Sequence, residues 1–142
     1  MTSSTNHFST EGGGTPTSKG RFVDTNRIEA FEMLPGLNFQ PILSDNTIVN
    51  VVSFEPHSEA PMHSHVEEQI VIVLEGEFEF TMDGRTRTMR PGDVCVIPPW
   101  VPHGAKTHDT TCRELDVFTP PRATLVDYAT SQVEPSRVEG DS

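Results

Sequence analysis

His63 and His65 stand two residues apart, Gln69 follows four residues later, and His103 comes from much further along the chain. On an extended strand an i, i+2 spacing sends both imidazoles to one face. A short turn, Val66 to Glu68, leads to Gln69 at the head of the next strand. His103 follows the rigid run Pro98-Pro99-Trp100-Val101-Pro102. A histidine pair alone is usually solvated or part of a core. With a third imidazole from a distant strand and an amide oxygen, it becomes a donor set suited to one divalent transition metal, Mn, Fe, Ni, Co or Zn. Such a set leaves coordination positions open for substrate or water.

The residues around this set resemble the two motifs of the cupin superfamily. The first motif, G-x5-H-x-H-x3-E-x6-G, is matched by His57-x5-His63-Ser64-His65-x3-Gln69-x6-Gly76. The second, G-x5-P-x-G-x2-H-x3-N, is matched by Gly92-x5-Pro98-Pro99-Trp100-x2-His103-x3-Thr107. Fifteen residues separate Gly76 from Gly92, the short spacing of compact bacterial cupins. The resemblance covers about residues 45–119 and implies an all-β, single-domain cupin, a double-stranded β-helix or jelly-roll barrel. His57, Trp100 and Thr107 depart from the motifs at turn and packing positions. Gln69 replaces a glutamate and removes one negative charge from the donor set. That favours Lewis-acid work on an anionic substrate over a site that stabilises a higher oxidation state.

A second group of residues lies at 113–122, RELDVFTPPR. Asp116 and Phe118 share one face of a strand, and Leu115 and Val117 take the other. An acidic side chain facing an apolar barrel needs a partner; the metal centre, a water or Arg122 would serve. Pro120-Pro121 stiffens the exit and aims Arg122 at the barrel mouth, where a guanidinium suits a carboxylate. The competing reading is a structural Asp116–Arg122 pair that closes the barrel end. The segment D-x-F-x-P-P-R, joined to HxHxxxQ and the later histidine, resembles the uronate-linearising cupins of pectin and alginate degradation. That resemblance implies a metal on His63, His65, Gln69 and His103, with Asp116, Phe118 and Arg122 serving a 4,5-unsaturated monouronate, an isomerase or lyase role in carbohydrate metabolism. The alternatives are a metal-dependent dioxygenase or lyase acting on another small molecule, and a ligand-binding cupin without catalysis.

Short strands must position these groups. Twelve prolines and ten glycines punctuate the sequence, and apolar runs recur between turn signals. Strands are expected at 37–43, 47–54, 60–65, 69–75, 77–82, 85–89, 94–97, 103–108 and 113–119. Segment 27–33 reads as a short helix or an edge strand, and 123–129 as one helical turn. Asp83-Gly84 predicts a two-residue hairpin, and Gly76 divides VIVLEGEFEF. Beyond it Phe78, Phe80 and Met82 form a core face. In IVIVL, Val71 and Val73 share the face of Gln69, while Ile70, Ile72 and Leu74 form a second apolar face. A partner subunit in a homodimer, or residues 22–34, must cover that second face.

Cys95 reads as a small buried hydrophobe, and two cysteines make no disulfide framework. Glu67 and Glu68 are expected to be solvated, with one of them available to support a ligand histidine. His57 and His108 are expected at the surface or rim, and His7 in a tail. A net charge of −11 with only Lys19 and Lys106 as lysines disfavours nucleic acid and anionic membranes as partners. The partner is expected to be a small-molecule substrate. No signal peptide or span is evident, so the expected location is the cytoplasm. Residues 1–20 and 132–142 are too polar to bury and are expected to be disordered tails around a domain at 21–131.

Overall fold

A computed structural model of the chain describes residues 7–131. After a 3-10 turn at Thr25–Arg27 come ten strands: β1 Phe31–Leu34, β2 Leu37–Leu43, β3 Ile48–Phe54, β4 Glu59–His63, β5 Glu68–Gly76, β6 Phe78–Met82, β7 Arg85–Met89, β8 Val94–Ile97, β9 His103–Lys106 and β10 Cys112–Thr119. A helix, α1 Ala123–Ser131, follows them. The strands form a six-stranded sheet in the order β1-β2-β3-β10-β5-β8 and a four-stranded sheet in the order β4-β9-β6-β7. Every strand pair is antiparallel. This is the two-sheet, all-β architecture expected from the sequence.

Alternation decides what each sheet buries. Val71 and Val73 of β5 face inward with Ile97 of β8, Val52 and Phe54 of β3, and Cys112 of β10. Phe78 and Phe80 of β6, Met89 of β7 and Ala105 of β9 meet them from the other sheet. Phe54 and Phe78 touch edge to face across the gap, 5.4 Å between centroids. The Asp83-Gly84 turn has φ of +50° and +75°, the two positive values that a type I′ hairpin requires. Gly76 has φ +69°, and a β-carbon there would lie 2.0 Å from the Thr111 carbonyl oxygen. Cys95 and Cys112 are buried, unbridged thiols. Burial raises both pKa values, that of Cys112 to about 12.

Several boundaries differ from expectation. Segment 27–33 resolves into the edge strand β1, entered from the 3-10 turn. β4 stops at His63, so His65 lies in the β4–β5 connection and not on the strand. Its pairing with β9 shifts register between Ala60 and His63. β9 ends at Lys106 rather than residue 108. The single turn expected at 123–129 is a nine-residue helix. Leu125 anchors it against Ile48 and Phe118, and the Tyr128 hydroxyl donates to the Glu29 carbonyl at 2.9 Å. Residues 8–20 are exposed and form no strand; residues 1–6 and 132–142 lie outside the described part. Among the described residues no helix is long and apolar enough to cross a membrane.

The second apolar face of β5 is not closed by the N-terminal segment. Gln40 Nε2 donates to the carbonyls of Thr25 and Ile28, which holds that segment over β2. β1 then occupies the sheet edge opposite β8. Ile70 and Ile72 remain half-buried, and Leu74, Val94 and Val96 are 41%, 56% and 57% exposed. Ile70 pairs with Val96 and Ile72 with Val94, so these side chains make one continuous patch at an unpaired sheet edge. The proposed cover is a second copy of the chain. Sedimentation should give about twice the 15.7 kDa of one chain. Val96→Glu should shift the mass towards one chain without loss of strand content. A wild-type monomer at micromolar concentration would refute the dimer.

Candidate metal centre

The site sits between the sheets and draws on both. His63 ends β4 and pairs in register with His103, the first residue of β9. His65 reaches in from the connection, and Gln69 faces inward near the start of β5. Gln69, His65 and His103 are 5%, 8% and 2% exposed. The three imidazole centroids lie 4.3 to 5.6 Å apart, and the candidate ligand nitrogens all fall within 4.8 Å of one another.

Backbone carbonyls set the orientation of each ring. His63 Nδ1 donates to Pro61 O at 2.7 Å, His65 Nδ1 to Glu67 O at 3.0 Å, and His103 Nδ1 to Val101 O at 2.9 Å. A carbonyl only accepts, so each neutral ring carries its hydrogen on Nδ1 and leaves the Nε2 lone pair free. His103 Nε2 is buried without a partner, and Gln69 Oε1 lies 3.1 Å from His65 Nε2. Burial lowers the His63 pKa and brings that of His103 to about 4. These residues therefore fit a divalent ion: converging lone pairs, neutral rings, an amide oxygen and an orphaned buried nitrogen.

Loop geometry explains two of the motif departures. Trp100 has φ +68° and His57 has φ +56°, so both stand in the left-handed region where the motifs have glycine. Trp100 N–H donates to His65 O at 2.8 Å, tying the proline-rich run before His103 to the other ligand loop. Thr107, in place of asparagine, accepts from Ser58 N–H and donates to Glu55 O. Glu67 is buried rather than solvated, its carboxylate 3.4 Å from His65 Nδ1, whereas Glu68 is exposed. His57 and His108 are surface residues, 3.3 Å from Asp109 and 2.7 Å from Glu79.

A cavity of about 370 Å³ opens beside the imidazoles and is also lined by Asp116, Phe118 and Arg122. Asp116 and Phe118 face inward from β10, as their spacing requires. Gln69 and Glu114 lie beside Asp116 and favour its ionised form. Against carboxylate, the Gln69 amide can only donate through Nε2, which turns Oε1 towards the imidazoles. Arg122 makes no ion pair to Asp116 within 4 Å; it lies 5.7 Å over the Phe118 ring and donates to Thr124 Oγ1 at 3.2 Å. A barrel-closing Asp116–Arg122 contact is therefore not what the fold builds. Phe118 also meets His65 edge to face at 5.5 Å.

Two residues of this cavity escaped the sequence reading, Glu114 and Asn50. Glu114 is 4% exposed and Asn50 1% exposed, and both line the cavity. The signals existed: Glu114 precedes Asp116 by two residues on one strand face, and Asn50 is a lone amide in the apolar run IVNVV.

The family model for the cupin domain matches residues 50–118, from Asn50 to Phe118. The chain carries a cupin domain. It is a small cupin that resembles KdgF from Halomonas sp., with a TM-score of 0.71 and 26% identity, over 75% of this chain and 98% of that one. Its sequence is also 37% identical over 70 residues to the dimethylsulfoniopropionate lyase DddQ of Ruegeria pomeroyi, 49% of this chain and 35% of that protein. The cupin-domain-containing oxidoreductase fogC of Aspergillus ruber is 36% identical over 63 residues, 44% of this chain and 29% of that protein. The cupin thus spans about a third of the length of the curated relatives it matches.

The electrostatics give a pH dependence with a definite sign. Burial, and then the nearby Asp116, push the Glu114 pKa well above its ordinary 4.5. The folded state therefore keeps a proton that the unfolded chain releases, and stability falls as pH rises above the unfolded value. Between about pH 5 and pH 8 the melting temperature of the wild type should fall more steeply than that of Glu114→Gln, which has no proton to lose. Parallel slopes by calorimetry would show that Glu114 is ionised in the fold.

Proposed function

We propose that this cupin is a metal-dependent enzyme that opens the ring of 4,5-unsaturated monouronates to give open-chain keto sugars. One observation carries the reading. A single cavity is lined by His63, His103, Gln69, the Asp116 carboxyl, the Phe118 ring and the Arg122 guanidinium, and His65 completes the histidine cluster behind it. The likeness to KdgF supports it and extends over nearly all of that chain, alongside the resemblance of the D-x-F-x-P-P-R segment to the uronate-linearising cupins.

A bound Mn, Fe, Ni, Co or Zn ion would polarise substrate oxygens next to the anomeric carbon. Arg122 holds the C6 carboxylate through charge-assisted hydrogen bonds. Phe118 packs against the sugar face. Asp116 takes the proton of the anomeric hydroxyl as the bond from C1 to the ring oxygen breaks. The ring oxygen leaves as the oxygen of an enol at C5, and C1 becomes an aldehyde. Asp116 then delivers the proton to C4, and the enol becomes the C5 ketone. The same atoms are present before and after, so the step is an isomerisation and needs no co-reactant. Burial raises the Asp116 pKa, which strengthens its carboxylate as a base.

The likeness to DddQ favours a second reading, elimination from a small sulfonium or similar substrate, with Asp116 again as base. Turnover of unsaturated uronates and of dimethylsulfoniopropionate, followed by NMR on one preparation, separates the two. Oxygen uptake by the iron-loaded protein would instead point to an oxygenase.

Metal analysis of the purified protein should find one divalent ion per chain, and His65→Ala or His103→Ala should abolish it. A wild type that binds none of the five ions would end the metal proposal. On unsaturated uronate, Asp116→Asn should lower kcat by about 10²–10⁴, the range that general acid–base groups supply. Arg122→Ala should mainly raise KM, by about tenfold or more, because the clamp acts on ground and transition state alike. Both variants should retain metal. A large fall in melting temperature with activity intact would instead assign the two residues to structure.

A further inference from the structure

The cavity wall formed by the six-stranded sheet carries polar groups that neither the metal cluster nor the Asp116–Arg122 chemistry uses. Asn50 on β3 lies directly across from Asp116 on β10, and Glu114 is two residues before Asp116 on the same face. The Asn50 amide has only one orientation, because its Oδ1 accepts from Gln40 N–H at 3.1 Å. Nδ2 is therefore the free end, and it is buried without a partner. Glu114 Oε2 and Asp116 Oδ1 are buried without partners as well. All three residues line the same cavity, alongside Val52 and Leu37.

Orphaned polar atoms of this kind are costly to keep in an apolar wall. They become favourable when a ligand supplies the missing partners. The missing partners are specific: an acceptor for Asn50 Nδ2, and a donor for Glu114 Oε2, the one orphaned oxygen of that carboxyl. A hydroxyl does both, and two adjacent hydroxyls would engage both residues together.

We propose that Asn50 and Glu114 form a diol-recognition subsite, which takes two neighbouring hydroxyls of the ligand on the wall carried by the six-stranded sheet. This deepens the uronate reading and rests on it, since such a sugar carries hydroxyls at C2 and C3 that Arg122 and the ring-opening step leave unassigned.

The test uses two probes on zinc-loaded protein, with melting temperature and zinc content as controls. Erythritol has vicinal hydroxyls, no carboxylate and no ring to open, so its binding does not depend on the uronate chemistry. By NMR titration the wild type should bind it in the millimolar range. Glu114→Leu and Asn50→Leu should each weaken that binding about fivefold or more, the size of one lost hydrogen bond. Glu114→Gln, with a donor and an acceptor in the same place, should recover most of the loss. If Asn50→Leu fails to fold, Asn50→Asp keeps the acceptor for Gln40 N–H and replaces the amide donor with a carboxyl, and the Glu114→Leu variant carries the test beside it. With unsaturated uronate, the leucine variants should raise KM by about tenfold, more than they lower kcat. No erythritol binding by the wild type, or equal binding by wild type and folded leucine variants, would overturn the subsite. Erythritol binding lost in the variants, with no turnover of any unsaturated uronate by the wild type, would keep the subsite and refute only the uronate reading.

Discussion

Three ring N–H groups, each bound to the carbonyl of a residue two positions away along the chain, determine what the rest of this site can be. Pro61, Glu67 and Val101 provide those carbonyls. With Nδ1 committed in this way, each imidazole presents Nε2, and all three point to one place. The pattern demands that the backbone turn sharply just beside each histidine. That is why β4 loses register before His63, why Trp100 adopts a left-handed conformation, and why its N–H is spent on the carbonyl of His65. The sheets supply a frame whose core of Val71, Phe78 and Ile97 cannot shift without opening voids. The loops at the barrel end are then free to be shaped by hydrogen bonds alone.

Burial does the electrostatic work inside that frame. It brings the His103 pKa to about 4, and together with the neighbouring Asp116 it pushes the Glu114 pKa well above the ordinary carboxyl value. Two adjacent carboxyls in a low-dielectric wall cannot both ionise at low cost, so one proton is retained between them. Asp116 is the member nearer to Arg122 and Gln69, both of which favour its ionised form. The two carboxyls thus sit in unequal surroundings: Asp116 lies beside groups that favour its charge, and burial dominates at Glu114.

Much of this could be read from residue spacing, for reasons that are local. The i, i+2 rule placed Asp116 and Phe118 on the inner face of β10. Asp83-Gly84 fixed a hairpin by its own backbone preference. The motif spacing brought His63, His65, Gln69 and His103 together. What escaped depended on contacts between distant segments. Asn50 joins the cavity only because β3 pairs with β10 in a register that sets it across from Asp116, which no local pattern reveals. The length of α1 depends on Leu125 finding Ile48 and Phe118. His65 reaches the site from a connection and not from a strand, so face alternation gave its destination for a reason that does not apply there. Glu67 looked like one of two solvated acids until the fold folded its carbonyl under His65.

The replacement of glutamate by Gln69 gains a second meaning from the geometry. As a matter of charge, it leaves a bound divalent ion less neutralised and so more attractive to an anionic ligand. As a matter of hydrogen bonding, it does something an ionised glutamate cannot do. Its amide has an Nε2 donor to offer the neighbouring Asp116 while its Oε1 lies 3.1 Å from His65 Nε2. A carboxylate at position 69 would face Asp116 as a second anion, in a wall that already holds Glu114, and would push one more proton onto the group. The amide links the histidine cluster to the residue proposed to move the proton, and it does so without adding charge. An uncharged amide beside the histidine cluster, with the Arg122 guanidinium in the same cavity, suits the anionic substrate proposed for the site.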